Sequence, residues 1–213
     1  MDVDPKEFRE RTIKDAKCAL ILDAARKLFA QKGYWETRLE DIAAAAGFSK
    51  ASLYNYYIDK EAIFLSIVVN EQSELLEKIR TVTENAQTFT KTLKSLLEII
   101  FKGVKDDYGI MVNAANFHNL ITMHASMFKH KELLERFVKL IDQFVELVEG
   151  LVRRGRDCGE IICDLDDKTI SRFIGMLVRA AIFEWNISQK KMDVDSTVSQ
   201  ILEFVKRGAG VAK

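Results

Sequence analysis

The sequence predicts an all-α chain. A three-helix unit over residues 1–60 is followed by a larger helical unit over 61–213, about nine helices in all. Three observations lead there. Among 213 residues there is a single proline, Pro5, and proline is the residue that interrupts helices. Hydrophobic residues make up 48%, and along most of the chain they recur three and four residues apart rather than alternating. Helix caps and glycines punctuate the chain where those patterns stop and start.

The first helix opens at Asp4-Pro5, with proline at the first helical position, or at Thr12. Ile13, Leu20, Ala24, Leu28 and Phe29 mark its expected buried side, and Gly33 closes it. Lys6, Arg9, Arg11, Lys14 and Lys17 outnumber the acids over its first half. They fit a solvated face or a phosphate contact. Thr37 and Glu40 have capping-box spacing, so a second helix is expected there, with Leu39, Ile42, Ala43 and Ala46 inward. Gly47 ends it, and Ser49 caps a third helix over residues 50–57.

The turn Ala46-Gly47-Phe48-Ser49 is short enough to set two helices at a steep angle, as in a helix-turn-helix. An ordinary helical hairpin has the same residue types. On the third helix Leu53 and Tyr57 face inward, and Ala51 and Asn55 face out between Ser52 and Tyr54. Small side chains at 51 and 52 admit a base edge, and Asn55 has the groups to pair with adenine. Lys50, Tyr54 and Tyr56 are donors suited to phosphates. Between Ile42 and Ile58 there is no acid until Asp59 is reached, in a chain that is 30% charged. Carboxylates there would repel a phosphate backbone.

Residues 37–61 also resemble the DNA-binding signature of the TetR family of bacterial transcription regulators. The resemblance rests on Thr37, Ile42-Ala43, Ala46-Gly47-Phe48-Ser49, Leu53-Tyr54, Tyr56-Tyr57 and Lys60-Glu61, and covers roughly the first 65 residues. Phe48 stands for the usual valine, Ala51 for a frequent glycine and Arg38 for a second threonine; the last two bear on which bases are read. The resemblance implies a homodimer on a double-stranded DNA operator. Its DNA-contacting positions would be Thr37, Arg38, Ser49, Lys50, Ala51, Ser52, Tyr54, Asn55, Tyr56 and Lys60. Lys60, at the start of the fourth helix, would meet a phosphate.

Asp59 caps that fourth helix, and Phe64, Ile67, Val68, Leu75, Ile79 and Val82 carry it into the second unit. Glu71 interrupts its apolar face, either paired in the core or set in a ligand pocket. A fifth helix runs from Phe89 to Val104 and breaks near 106–109. A sixth puts Asn113, Phe117, Leu120 and His124 on one face. Phe64, Glu71, Asn113, Phe117, Leu120 and His124 are therefore the candidate lining of a small-molecule site, apolar with a few polar groups. Each polar member is equally at home as a satisfied core group. The effector would be at least partly apolar, and its identity does not follow from the sequence.

A seventh helix spans Leu134 to Val152, followed by a charged break at 153–159. The eighth opens at Asp166 or Asp167, runs to about Ser188 and is apolar on most sides; the ninth, from Val194 to Lys206, comes last with few neighbours left. A two-fold bundle of both would bury them. The expected interface is Ile170, Phe173, Ile174, Leu177, Ala181, Trp185, Val198, Ile201, Leu202 and Val205. A core helix within a monomer is the alternative.

Lys and Arg total 32 against 32 Asp and Glu, so composition alone does not point to nucleic acid. Three cysteines, Cys18, Cys158 and Cys163, read as free thiols in a cytoplasmic protein, and no metal or cofactor site is expected. No apolar run is long enough to span a membrane. Nucleophile elbow, phosphate loop and HExxH are all missing, and His118, His124 and His130 do not converge on one helix face. The expected function is a palindrome-reading regulator, a repressor released by a small molecule. A corepressor-dependent repressor, an activator, and a dimeric ligand-binding protein without DNA readout remain open.

Overall fold

The computed structural model describes residues 4–85, 88–106, 129–188 and 193–210. Among them are eight helices and no strand: α1 Pro5–Lys32, α2 Leu39–Ala45, α3 Lys50–Tyr54, α4 Lys60–Glu84, α5 Phe89–Asp106, α6 Lys131–Asp157, α7 Asp167–Ser188 and α8 Val194–Gly208. The expected sixth helix, with Asn113, Phe117, His118, Leu120 and His124, lies outside the described residues. Two compact units result, Met1–Val68 and Val69–Lys213, and α4 contributes residues to each.

In the first unit, Ile21, Ala24, Ala25 and Phe29 of α1 are buried, as are Ile42 and Ala43 of α2, Leu53 of α3 and Ile63 to Leu65 of α4. Phe29 meets Phe64 edge-on at 5.8 Å, and Tyr34 lies 5.1 Å from Phe64. Phe64, expected in the ligand site, therefore belongs to the core of this unit. The expected inward side of α1 is also corrected. Ile13 is 49% and Leu20 57% exposed, because burial begins only at Ile21 and residues 5–17 are all exposed. Helical spacing gave the right period, but it does not say where a neighbouring helix stops.

Asp4 accepts the Lys6 N–H at 2.9 Å with Pro5 next to it, so α1 opens at the earlier of the two expected starts. Asp59 caps α4 as expected, accepting the Ala62 N–H at 2.8 Å. The second helix is capped one residue later than its spacing suggested. Arg38 is the N-cap, and its N–H donates to the Asp41 carboxylate at 3.4 Å. Thr37 is instead 1% exposed, and its hydroxyl donates to the Gly33 carbonyl at 2.8 Å.

The core of the second unit joins Ile79 of α4 to one face of α5, to Val148, Leu151 and Val152 of α6, and to the inner faces of α7 and α8. The most extensive helix pairs are α6 with α7 and α5 with α8. That last pairing corrects the expectation that the final helix has few neighbours left within the chain. Its apolar face, Val194, Val198, Ile201, Leu202 and Val205, is buried within the subunit against the α5 core.

Three consecutive residues near the end of α6 organise this unit. Arg154 donates to the Thr83 carbonyl at 2.8 Å, closing the last turn of α4. Arg156 donates to Asp167 at 2.9 Å and to the carbonyls of Cys163 and Leu165, so one guanidinium holds the turn into α7. Between them Gly155 lets Phe89 approach; a Cβ at 155 would sit 2.9 Å from the Phe89 Cβ. Gly155→Ala is expected to destabilise the protein by about 1–3 kcal/mol through overpacking. Chemical denaturation followed by circular dichroism checks this, and an unchanged midpoint would contradict it.

Candidate DNA-recognition surface and effector cavity

The turn into α3 is set by Gly47, whose φ of 77° suits glycine best. Ser49 accepts the Ser52 N–H at 3.1 Å, and the two hydroxyls bond at 2.9 Å. Leu53 is fully buried and anchors the helix. The helix is shorter than the expected 50–57. Asn55 is its C-cap, and the Tyr56 and Tyr57 N–H groups both donate to the Leu53 carbonyl, tightening the last turn.

The structure brings Arg38, Ser49, Lys50, Ala51, Tyr54 and Asn55 to the exposed surface, with Ser52 half-buried beside them. Three expected DNA contacts are placed otherwise. Thr37 is buried by its bond to Gly33. Tyr56 is half-buried, its ring edge-on to Phe48 at 5.9 Å. Lys60 donates to the carbonyls of Tyr34 at 2.7 Å, Thr37 at 2.9 Å and Trp35 at 3.3 Å. An ammonium has three N–H donors, so the group is fully engaged within the unit, which corrects its expected role toward phosphate. Its charge also lies 4.4 Å from the centre of the Tyr34 ring. Burial, with Glu61 and Asp59 nearby, pushes the Tyr34 phenol up to about 12.

Lys50 forms an ion pair with Glu40 of α2. The pair raises the lysine pKa and lowers that of the carboxylate, chiefly through their hydrogen bond. Both groups are about half exposed, so the pair is open to competition from another anion. Helical spacing carries no sign of this partner, which stands ten residues away on another helix.

In the second unit a cavity of about 150 Å³ opens among α4, α5, α6 and α7. Its walls are mostly apolar, including Leu75, Ile100, Phe137, Phe144 and Ile182; Gln72, Ser171, Arg172 and Arg179 are its polar members. The Arg179 guanidinium lies over Gly175, with a nitrogen 3.3 Å from where a Cβ would stand. Burial lowers its pKa, and among the described residues no carboxylate pairs with it. Of the expected ligand-site residues, Glu71 has both carboxylate oxygens screened from solvent on α4, but it is not in this cavity wall. The residues that form it were missed because they come from four helices, and no single helical face shows them. Among the described residues no cluster of His, Cys, Asp and Glu suits a metal, and no helix is long and apolar enough to cross a membrane.

The expected interface residues divide. Ile170, Ile174, Val198, Ile201, Leu202 and Val205 are buried in the subunit core, and Leu177, Ala181 and Trp185 are half-buried. Phe173 is exposed, joined by Met176 and Phe183 on α7 and Phe204 on α8. The second unit also exposes Val138 on α6 and Ile162 and Leu165 between α6 and α7.

Residues 21–67 match the model described as bacterial regulatory proteins, tetR family, and residues 69–208 match that of the YsiA-like protein, C-terminal region. The uncharacterized HTH-type transcriptional regulator YfiR of Bacillus subtilis is 27% identical over 209 residues, covering 96% of each chain. HTH-type transcriptional repressor KstR2 of Rhodococcus jostii is 26% identical, covering 92% of each. Among solved structures, FadR of Bacillus subtilis in complex with stearoyl-CoA superposes with a TM-score of 0.70 at 21% identity, over 88% of this chain and 96% of that one.

Two substitutions test the surface. Glu40→Gln frees Lys50 for phosphate and is expected to tighten binding to all DNA, steepening the salt dependence by up to about one ion; fluorescence anisotropy across a salt series reads it. Lys60→Met leaves three carbonyls without their donor. It is expected to lower stability by about 1–3 kcal/mol, with no change in salt slope for the folded fraction. A slope reduced by one in that variant would restore the phosphate role.

Proposed function

The chain belongs to the TetR family of bacterial regulatory proteins, and from that membership we propose a two-fold repressor that releases its operator when an amphipathic anion enters the second unit. Its general activity is sequence-specific DNA binding in transcription regulation, as in its relatives. Met1–Val68 reads DNA, and Val69–Lys213 binds the effector and the second subunit. The protein works in the cytoplasm and is not an enzyme.

The observation that carries this reading is the exposed face of α3. Ala51, Tyr54 and Asn55 project from a helix that contains no acid and is anchored by the buried Leu53. Such a face enters a major groove, with Asn55 and the small residues at base edges and Lys50 at phosphate. Two subunits joined through Phe173, Met176, Phe183 and Phe204 present two such faces. The operator is then an approximate palindrome with half-sites separated by whole helical turns.

The effector reading rests on the cavity. An apolar chamber with a half-buried guanidinium suits a molecule with a hydrocarbon part and an anionic group. A fatty acyl thioester, the class bound by the Bacillus subtilis FadR neighbour, has both. The helix α4 carries Lys60 at its start and Gln72 and Leu75 at the cavity, so ligand and DNA-reading unit share one element. Only a ligand that binds better to one state can shift the balance between states.

Selection of bound fragments from random DNA at near-physiological salt is expected to enrich a palindrome; enrichment of nothing, with or without cell extract, would leave the regulator reading without support. Stearoyl-CoA is expected to release that DNA. Arg179→Gln should weaken release by about tenfold or more, from the loss of a charge-assisted hydrogen bond. DNA affinity without effector should stay the same. Equal sensitivity in the variant would remove Arg179 from the site.

A further inference from the structure

The first four turns of α1 have no role in the core. Residues 5–17 are all exposed, and the first buried side chain of the helix is Ile21. At about 100° per residue, Lys6, Arg9, Ile13, Lys17 and Leu20 fall within a stripe of about 80°, and the buried Ala24 lies on the same line. The stripe runs forward from Ala24, at the margin of the buried side of α1, whose other members Ile21, Ala25 and Phe29 are turned about 60–140° from that line. No carboxylate lies within it; Glu10 stands at its edge, and Glu7 and Asp15 are on other faces.

The stripe is also next to the recognition surface. The Lys17 ammonium lies 6.0 Å from the centre of the Tyr56 ring, and Tyr56 directly follows the exposed Tyr54 and Asn55. A duplex seated on α3 brings its phosphates toward that edge. From there Lys6 and Arg9 continue the line of positive charge over about 17 Å of helix, at 1.5 Å per residue.

We propose that this overhanging stripe is a second DNA contact, in which Lys6, Arg9 and Lys17 follow the phosphate backbone flanking each half-site. The partner is argued from charge and position. The stripe is cationic, lacks acids and, on the proposed DNA-binding reading on which this inference rests, adjoins the surface that a polyanion occupies. Its contacts are to phosphate, so they lengthen the footprint and add affinity without reading bases. They also supply what the balanced composition withholds, a local excess of positive charge beside the groove-reading helix.

The test compares two variants of the full-length protein. In one, Lys6→Gln, Arg9→Gln and Lys17→Gln are combined. In the other, Arg11→Gln and Lys14→Gln remove positive charge from the same helix outside the stripe. Helicity by circular dichroism and oligomeric state by analytical ultracentrifugation establish that both remain folded. Affinity for selected and random duplexes is then measured from about 0.05 to 0.3 M salt.

The triple variant should lose about tenfold or more in affinity for both duplexes and about two to three units of salt slope, near 0.9 per phosphate contact. Its base preference should be unchanged, and its footprint shorter. The control should keep the slope of the parent. Parental slope in the triple variant, or equal slope loss per charge removed in the two variants, overturns the proposal; the second result would mean diffuse attraction rather than a contact. A change in base preference in the triple variant also overturns it, since phosphate contacts carry no base identity.

Discussion

The first unit depends on one ammonium. Lys60 closes three carbonyls of the 34–37 turn, the segment that takes the chain from the end of α1 to the start of α2. Without a donor, the Tyr34 and Thr37 carbonyls would lie half-buried beside an aromatic cluster, where unmet hydrogen bonds are costly. The Tyr34 ring beneath the charge, itself packed on Phe29 and Phe64, makes the clasp part of the core rather than an ornament on it. Thr37 works on the same turn from the other side, tying its hydroxyl to Gly33. The orientation of α2, and through Ile42 and Leu53 that of α3, follows from this turn. Two positions expected to touch DNA thus act by fixing α2 and α3.

The second unit has a comparable device at the end of α6. Arg154, Gly155 and Arg156 are adjacent in sequence, yet they meet the end of α4, the side chain of Phe89 at the start of α5, and the turn into α7. Glu160, just beyond, accepts the Phe89 N–H at 3.0 Å and caps α5. Helix ends carry backbone groups that no intrahelical bond satisfies. Here a single short stretch satisfies several of them at once. The sequence showed it only as a charged break with a glycine, because the partners of each residue lie up to 71 positions away.

What the sequence made legible was periodic or local. The all-α class, the start of α4 at Asp59, the opening of α7 at Asp166 and its run to Ser188 all follow from caps and spacing within one helix. The Ser49 cap and the buried Leu53 on α3 follow in the same way. What was not legible depended on the neighbours of a helix. Ile13 and Leu20 have the spacing of core residues and no core to enter. The apolar face of α8 has the look of an interface and is covered by its own chain. The cavity is assembled from four helices, and its half-buried Arg179 differs from any other arginine only in what surrounds it.

Charge shows most clearly why location outranks composition. A chain with equal numbers of acids and bases gains little from long-range attraction to DNA, so its affinity must come from where a few cations stand. On α3 the one lysine is already paired with Glu40 across the helix-turn-helix. A phosphate must displace that carboxylate to gain the contact. The exchange of one exposed partner for another is nearly even in free energy, since exposed ion pairs are worth less than about 1 kcal/mol. Lys50 then adds little to non-specific binding while still holding α2 and α3 together off the DNA. On the proposed reading, discrimination falls to groups without such internal partners, Asn55 and the small face at Ala51, whose contacts would form only when the right base edge is there. Weak general attraction with strong local readout raises the ratio of specific to non-specific binding, the quantity that decides where a regulator sits among many competing sites.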